Sequence, residues 1–293
     1  MTDINPIMGY KTYAEYVVET VWGTCPTNPA FLWFGANEMV RVKIGKKVLE
    51  DYHLKGSAAT VHRIIDALLD GAQELGFEIE FTPQVGVWSA IYTLCTGNAS
   101  TIADALSSFT MNVKKSTYSF VLHGCMVESW KIKIAKNEKV RFTLTGRARD
   151  ISFSAPTMGS GSHATASSAR PLTWLDAYLK ISGTAQDNVR EIDFELNNTL
   201  EGEPRIRSAD PSLIAFLVSK KAELKGSVQL DFIDQTWLTD MLAGTSHDMA
   251  IVMDSKTITW VGGKFQDSVD MESKPEDLIG EHLAFTAISP TLA

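Results

Sequence analysis

The chain has 293 residues, 44% hydrophobic and 21% charged, and a formal net charge of −8 at pH 7. These values are typical of a folded globular protein, and the length allows one large domain or two ordinary ones. The acidic balance, without a long run of lysine and arginine, argues against broad binding to nucleic acids or anionic membranes.

Targeting segments and cysteine chemistry add little. No apolar stretch approaches the roughly 18–20 residues that a membrane-spanning helix needs, and we expect no secretory signal at the N-terminus. The three cysteines, Cys25, Cys95 and Cys125, are odd in number and lack metal-ligand spacing. They are therefore interpreted as buried thiols in a reducing compartment.

The first 35 residues are rich in aromatic side chains and contain three prolines. A disordered tail would be much poorer in aromatic residues. The segment is expected to pack either on its own domain or on a neighbouring subunit. The residues in it that we predict to make contacts between subunits are Tyr10, Tyr13, Trp22 and Trp33.

A strand and then a helix are predicted next. The stretch from Arg41 to Leu49 is predicted to be a strand, because Val40, Val42 and Ile44 alternate with Arg41 and Lys43. In residues 57–75, apolar residues recur at helical spacing and Gly76 follows as a stop signal. The apolar positions are Val61, Ile64, Ile65, Leu68 and Leu69.

The following stretch is predicted to be mainly strands. Residues 77–81 alternate as Phe, Glu, Ile, Glu, Phe, and a short helix follows from Trp88 to Cys95. Two alternating runs, 130–134 and 140–145, flank the polar turn 136–139, which predicts a hairpin.

Residues 155–171 interrupt the pattern, because they are small, polar and without periodicity. The segment is interpreted as a flexible linker or a long surface loop, and we predict contacts between subunits at Met158 and His163.

After Pro171 the strand pattern resumes at 177–181, 189–198 and 221–232, and we expect a bulge at Gly226 in the last run. Asp234 is predicted to cap a helical turn at 237–242 that ends at Gly244.

The two halves of the chain show a faint internal repeat. Phe77–Phe81 is echoed by Val228–Phe232, residues 117–121 by 257–261, and Val140–Thr145 by His282–Ala287. The pieces occur in the same order, which indicates a duplicated β-rich unit. The predicted organisation is an N-terminal arm and first unit at 1–154, a linker at 155–171 and a second unit at 172–293.

The search for catalytic chemistry is mostly negative. The histidines are scattered, no nucleophile motif occurs, and no cofactor or metal site is predicted. Paired carboxylates on strands are compatible with an acid–base site, with the solvated side of a half-buried strand, or with the lining of a wet, anionic channel. The residues that we predict to line such a channel are Glu78, Glu80, Asp193, Glu195 and Asp231.

Several motifs resemble those of one known family. The segment Glu19-Thr-Val-Trp-Gly-Thr-Cys-Pro-Thr-Asn-Pro29 is similar to the element that precedes the first strand in tail tube proteins of long-tailed, head-tailed viruses. Residues 124–134 with 140–146 resemble that family's hairpin. Residues 176–183, 189–201 and 225–232 resemble its second half. The resemblance covers most of the chain but leaves residues 57–76 and 157–170 unexplained.

The resemblance implies a mainly β fold with flanking helices, made of two similar sandwich or half-barrel units. Subunits of this family form rings whose strands complete a closed inner barrel, and stacked rings conduct viral DNA. It also implies a tape-measure protein, a tail terminator and tail-tip proteins as partners, and a place in the virion tail after assembly in the host cytoplasm. DNA would pass without specific binding, and no membrane partner is expected.

The sequence leaves alternatives open. If both halves are tube units, three chains complete a pseudo-sixfold ring, which we favour; if not, six chains are needed. A tube protein of a contractile secretion or bacteriocin apparatus has the same architecture. A β-sandwich carbohydrate-binding protein is a less favoured alternative, because it needs an aromatic platform or a cleft.

Overall fold

The computed structural model describes residues 12–51, 67–204, 213–272 and 280–293, and they form a mainly β fold with two short helices. The elements of the first half are β1 (Thr12–Val18), β2 (Leu32–Trp33), β3 (Ala36–Asp51), β4 (Ala67–Thr82), α1 (Ser89–Thr96), β5 (Phe109–Lys115), β6 (Tyr118–Ala135), β7 (Arg141–Ala148) and β8 (Asp150–Ser152). Those of the second half are β9 (Ala177–Ile181), β10 (Thr184–Ala185), β11 (Val189–Asn197), β12 (Leu200–Pro204), β13 (Ile214–Ser219), β14 (Glu223–Asp231), α2 (Thr236–Ala243), β15 (Ser246–Met253), β16 (Lys256–Glu272), β17 (Gly280–Ala287) and β18 (Ser289–Leu292).

The central feature is an antiparallel sheet in the order β3-β4-β7-β6-β11-β14-β17-β16. Its strands alternate apolar and polar residues, so one side is a core side and the other is polar. On β4, for example, Phe77, Ile79 and Phe81 are buried in the core. The predicted mainly β fold with flanking helices is thereby confirmed, although the described residues of a single chain do not close a barrel.

Each half adds a second, smaller sheet over the same core. The first part of β6 leaves the central sheet and pairs with β5 and β8, and β5 continues to β1 and β2. The first part of β16 pairs in the same way with β15 and β18, and β15 continues to β9 and β10. In the first half, the central sheet and the smaller sheet meet in the core, where the rings of Phe77 on β4 and Phe109 on β5 lie 5.7 Å apart, measured between their centroids.

The strand pairing of the second half repeats that of the first, and two of its register shifts recur at matching positions. The β3–β4 register shifts between Asn37 and Met39, and the β11–β14 register shifts between Val189 and Glu191. The β5–β6 register shifts between Phe109 and Met111, and the β15–β16 register shifts between His247 and Met249. Since bulges interrupt a ladder at specific places, their recurrence at matching positions gives a residue-by-residue correspondence between the halves.

Glycines occupy matching positions in this correspondence. Gly124 and Gly262 have φ values of 63° and 67° at the points where β6 and β16 pass from one sheet to the other. A cross-strand pair of one aromatic residue and one glycine also recurs with its members exchanged. Phe77 faces Gly146 in the first half, whereas Gly226 faces Phe285 in the second.

The predicted helix at 57–75 is wrong for residues 67–75, which belong to β4; residues 52–66 lie outside the described part. Residues 67–75 pair with β3, which satisfies their backbone groups as a helix would. A Cβ atom at Gly71 would lie 2.6 Å from the carbonyl oxygen of Lys47, so the glycine allows the close approach at this irregular point. Tertiary pairing overrides the helical spacing.

Other local predictions have mixed outcomes. The helices after β4 and β14 are confirmed as α1 and α2, and each ends at a left-handed glycine, Gly97 and Gly244. Asp234 accepts a hydrogen bond from the Thr236 backbone N–H, although Gln235 is the N-cap of α2. The bulge expected at Gly226 is absent, because β14 pairs there without a register shift on either side.

Residues 155–171 are mostly irregular in the structure and form hydrogen bonds with the first half of the same chain. The Ser162 N–H donates to the carbonyl oxygen of Pro29, and the Phe31 N–H donates to that of Ser162. Farther along, the Leu172 N–H donates to the carbonyl oxygen of Pro83. The segment therefore has defined anchors on the first half.

Candidate functional surface

The polar side of the central sheet, called here the polar face, carries charges in stripes that follow the strands. β3, β6 and β7 carry mainly cations, whereas β4 and β11 carry mainly acids. The cations of these stripes are Arg41, Lys43, Lys131, Lys133, Arg141 and Arg147, and the acids of β4 and β11 are Glu78, Glu80, Glu191, Asp193 and Glu195. Two acids lie on the cationic strands: Glu38 on β3 lies 3.7 Å from Arg141 Nε, and Glu128 on β6 lies 3.3 Å from Arg147 Nη2. Neighbouring stripes of opposite sign can form ion pairs across the strands.

The two acids predicted on β4 make such pairs. Glu78 contacts two cations of β3: its Oε2 atom lies 2.9 Å from Arg41 Nη1 and 3.5 Å from Lys43 Nζ. Glu80 Oε1 lies 2.8 Å from Arg141 Nε. Both carboxylates therefore remain on one side of the sheet and are compensated by the strands that flank them.

The acids of β11 face the lysines of β6. Glu195 Oε2 lies 3.3 Å from Lys131 Nζ, and Glu191 Oε1 lies 2.5 Å from Lys133 Nζ. The hydrogen bond with Glu191 raises the pKa of Lys133. Burial raises the pKa of Asp193, and the two lysines oppose that shift.

The last predicted channel residue lies farther along the sheet. Asp231 on β14 makes an ion pair with Arg190 at the start of β11. All five predicted acids thus have cations in their surroundings, and the polar face carries charges of both signs, whereas an anionic channel lining was predicted. Whether this face lines a channel stays a prediction.

Most residues predicted at subunit contacts pack on their own chain. The Tyr13 and Trp33 rings on β1 and β2 lie 6.2 Å apart, and the Arg149 guanidinium lies 5.0 Å from the Trp22 ring. The Trp22 indole N–H also donates to the Gly124 carbonyl oxygen over 3.3 Å. Tyr10 lies outside the described residues. Their roles between subunits stay predictions.

The two predicted contact residues of the 155–171 segment are likewise held within the chain. The Met158 carbonyl oxygen accepts a hydrogen bond from the Gly161 N–H. His163 Nδ1 lies 2.7 Å from Glu15 Oε1, and the Ala164 N–H donates to Glu15 Oε2 over 2.8 Å. Glu15 is completely buried.

Sequence reasoning missed two buried acids that organise the N-terminal segment. Glu15 accepts a hydrogen bond from Asn112 Nδ2 over 2.7 Å in addition to its bonds with the 155–171 segment. Glu19 accepts hydrogen bonds from the Gly23 N–H, the Gly124 N–H and the Thr110 hydroxyl over 2.7–2.9 Å. The motif that begins at Glu19 offered a signal for this residue, whereas nothing in the sequence around Glu15 did.

The described ranges also bear on metal sites, membrane-spanning helices and reactive thiols. They contain no group of three or more His, Cys, Asp or Glu residues arranged to hold a metal ion. Within the same ranges, no helix is both long and apolar enough to cross a membrane. Cys95 and Cys125 are buried free thiols, and burial raises the pKa of each.

Comparison with known proteins completes the description of this surface. The family model described as "Phage tail tube protein" matches residues 9–287. No curated protein matches the chain. A chain of the solved virion of a native gene transfer agent particle matches with 11% identity and a TM-score of 0.35, covering 41% of this chain and 96% of that chain. A chain of the anti-feeding prophage baseplate matches with 11% identity and a TM-score of 0.32, covering 50% of this chain and 95% of that chain.

Proposed function

Because the chain belongs to the phage tail tube protein family, we propose that it forms rings of its own copies that stack into a hollow, DNA-conducting tail tube. It is a structural protein of the virion tail, and tail tube proteins assemble into tubes of themselves. The ring stoichiometry, the passage of DNA through the tube and the absence of any enzymatic activity belong to the proposal.

The observation that carries the proposal is the repeated pairing within one sheet. Strands β3, β4, β7 and β6 form the first half of the central sheet, and β11, β14, β17 and β16 form the second in the same connectivity. We take residues 1–154 and 172–293 as two tube units joined by 155–171. Three chains then supply six units to a closed ring, and six chains are the alternative.

In this arrangement the polar face lines the channel and the apolar side is covered by the smaller sheets. Glu78, Glu80, Asp193, Glu195 and Asp231 would lie among cations that they compensate. Cations held in ion pairs attract phosphates less than free ones, so DNA would slide past this face without specific binding.

Further partners follow from a tube of this kind. A tape-measure protein would lie in the channel during assembly, and a tail terminator and tail-tip proteins would bind the two ends. A contractile secretion or bacteriocin tube is a second context for the same architecture. A carbohydrate-binding role is less favoured, since Trp88, Trp130 and Trp260 are buried in the core.

Assembly is tested directly with the purified chain. Electron microscopy at increasing protein concentration should show rings or hollow tubes, and the native mass of an isolated ring should be three times 32.2 kDa. A mass of six times 32.2 kDa would replace the three-chain ring by the six-chain one. A chain that stays monomeric at every concentration and salt level would refute the proposed function.

The lining of the channel is tested by removing compensation from the polar face. Glu80→Gln with Glu195→Gln removes the carboxylate 2.8 Å from Arg141 Nε and the one 3.3 Å from Lys131 Nζ without changing side-chain size, and leaves Arg141 with the more distant Glu38 Oε2 at 3.7 Å. Tubes of this variant should retain DNA in a salt-sensitive manner, whereas a control with Glu138→Gln and Asp187→Gln in turns, which has the same net charge, should not. If both variants retained DNA equally, the proposal that the polar face lines the channel would be wrong.

A further inference from the structure

The two halves of the chain meet at an inner seam, the antiparallel pairing of β6 with β11. In its register Lys133 lies opposite Asp193, Ile132 opposite Phe194 and Lys131 opposite Glu195. The apolar pair lies on the core side, where Ile132 and Phe194 are fully buried. The seam therefore combines a continuous ladder, a shared core and cross-strand charges of opposite sign.

The matching bulges show which residues of β3 correspond to those of β11. Met39 pairs with Glu80 just after the bulge in the first half, as Glu191 pairs with Gln229 in the second. Counting on from these positions, Arg41 corresponds to Asp193, Val42 to Phe194 and Lys43 to Glu195. The acidic strand of the inner seam thus has a cationic counterpart at the edge of the sheet.

The correspondence between β6 and β16 follows from their pairing with β7 and β17. Lys131 pairs with Thr143 and Lys133 with Arg141, whereas Asp270 pairs with His282 and Glu272 with Gly280. Thr143 and His282 correspond, because they pair with the matching residues Glu80 and Gln229. Asp270 and Glu272 therefore occupy the register positions of Lys131 and Lys133, so the cationic strand of the inner seam has an acidic counterpart.

β3 and the second part of β16 are the outer strands of the central sheet, each paired on one side only within the described residues. The core side of β3 is poorly covered compared with its counterpart. Ile44 is 53% exposed, whereas the corresponding Leu196 on β11 is fully buried beneath β6. An unpaired ladder with an exposed apolar residue is a surface that a further strand would complete.

We propose that β3 of one copy pairs antiparallel with β16 of the next copy in the register of the inner seam. This outer seam sets Glu272 opposite Arg41, Met271 opposite Val42 and Asp270 opposite Lys43. It rests on the proposed ring assembly and adds the strands, the register and the charges that make one copy recognise another.

The exchange of charge gives the outer seam its direction. Two β3 edges would bring cations against cations, and two β16 edges would bring acids against acids. A cationic β3 edge also repels a strand with the charges of β6. Each copy therefore joins the next in one orientation only, as a closed ring requires, and random edge-to-edge association is disfavoured.

The test exchanges these charges one edge at a time. Variant A carries Arg41→Glu and Lys43→Glu, and variant B carries Asp270→Lys and Glu272→Lys. Each alone sets like charges across every outer seam, so its critical concentration for assembly should rise at least about tenfold. The variant with all four substitutions restores opposite charges and should assemble within about threefold of the unmodified chain, yet should not enter rings with it.

Mixing variants A and B gives a second readout, the association of the mixture. Unfolded variants would not associate in this way, so a loss of folding cannot produce the same result. Every A–B contact has opposite charges, so the mixture should associate where each variant alone does not. Alternation closes a ring with an even number of chains but leaves one mismatched seam in a ring of three. Three-chain rings therefore predict open or incomplete rings from the mixture, and six-chain rings predict closed ones.

The controls separate the outer seam from the proposed function. Lys136→Glu with Lys139→Glu in the β6–β7 turn changes net charge as much as variant A does and should leave the critical concentration unchanged. Circular dichroism and thermal unfolding check that A and B are folded. If the unmodified chain assembles but A and B assemble equally well, or the fourfold variant fails to recover, the outer seam is wrong. If the unmodified chain never assembles, the proposed function itself fails.

Discussion

The first and second halves of this chain share a ladder of strands but differ in the charges on their edges. Two bulges, a left-handed glycine and a hairpin turn recur at matching positions, as shown by Gly124 with Gly262 and by the turn residues Ser116 and Asp254, with φ values of 58° and 56°. In contrast, Arg41 corresponds to Asp193 and Lys43 to Glu195. Backbone geometry and core packing are thus retained where they fix the fold, and surface charge differs where it selects neighbours.

The largest effect should come from breaking the exchanged aromatic–glycine pair. Phe285→Gly leaves a cavity over Gly226 and should destabilise the chain by about 4 kcal/mol. Gly226→Phe alone should also be strongly destabilising, because a Cβ at Gly226 would lie 2.4 Å from the Phe285 ring. The double variant copies the arrangement of Phe77 and Gly146 and should recover at least about 1 kcal/mol relative to the sum of the single variants. Urea unfolding of dilute protein measures all three.

The predicted equivalence of the two aromatic–glycine pairs can be contradicted by the double variant. If the two single substitutions simply add in the double variant, the pairs in the two halves are not equivalent in packing. A further control is Thr286→Ala, next to the pair on the polar face, which should change stability by less than about 0.5 kcal/mol.

A second difference between the halves is the buried anchor Glu15, which corresponds to Lys180 on β9. Glu15→Ala leaves Asn112 and the Ala164 N–H without their acceptor and should cost about 3 kcal/mol. Lys180→Ala should cost less than about 0.5 kcal/mol. Limited proteolysis should then cut the 155–171 segment faster in the Glu15 variant only. Unchanged cleavage would show that Glu15 does not hold this segment.

The left-handed glycines refine the comparison further. An alanine at Gly124 would place its Cβ 2.9 Å from Trp22 Nε1 and from Arg149 Cβ, whereas at Gly262 the near atom is Cδ1 at the far end of the exposed Ile288 side chain, at 2.7 Å. Both substitutions strain a positive φ, so we expect losses of about 2 kcal/mol for Gly124→Ala and about 1 kcal/mol for Gly262→Ala. Thermal unfolding measures the difference. Equal losses would mean that backbone strain alone determines the cost.

Alternation predicted much of this fold, because a half-buried strand shows its two sides directly in sequence. The strands at 77–81, 130–145 and 189–198 are where the pattern placed them. The order of the repeated pieces also agrees with the pairing, but their alignment is displaced by a few residues. Phe77 matches Gly226, not Val228, since alternating strands resemble one another at every shift of two and the exchanged phenylalanine conceals the match.

What the sequence could not supply depends on contacts between distant segments. The helical spacing of residues 67–75 was overridden by pairing with β3. The acids were placed correctly on polar strand positions, but their compensation by Arg41, Arg141 and Lys131 requires the strand order. The burial of Glu15 depends on the return of the 155–171 segment, which no local pattern signals.

The smallest effect concerns Asp193, which corresponds to the exposed Arg41 of the first half. Burial raises the pKa of Asp193 above its ordinary value of 3.8. A carboxyl group with a raised pKa in the folded state binds its proton more tightly there than in the unfolded chain. Its ionisation therefore lowers stability as the pH rises from about 3.8 through the folded-state pKa.

Asp193→Asn should accordingly increase the free energy of unfolding by less than about 0.5 kcal/mol at pH 7, because Lys131 and Lys133 retain part of their attraction to Glu195 and Glu191. The gain should disappear below pH 3.8, where the carboxyl group is protonated in both states. Urea unfolding at several pH values measures this, and a gain that is the same at low and neutral pH would assign it to packing and not to charge.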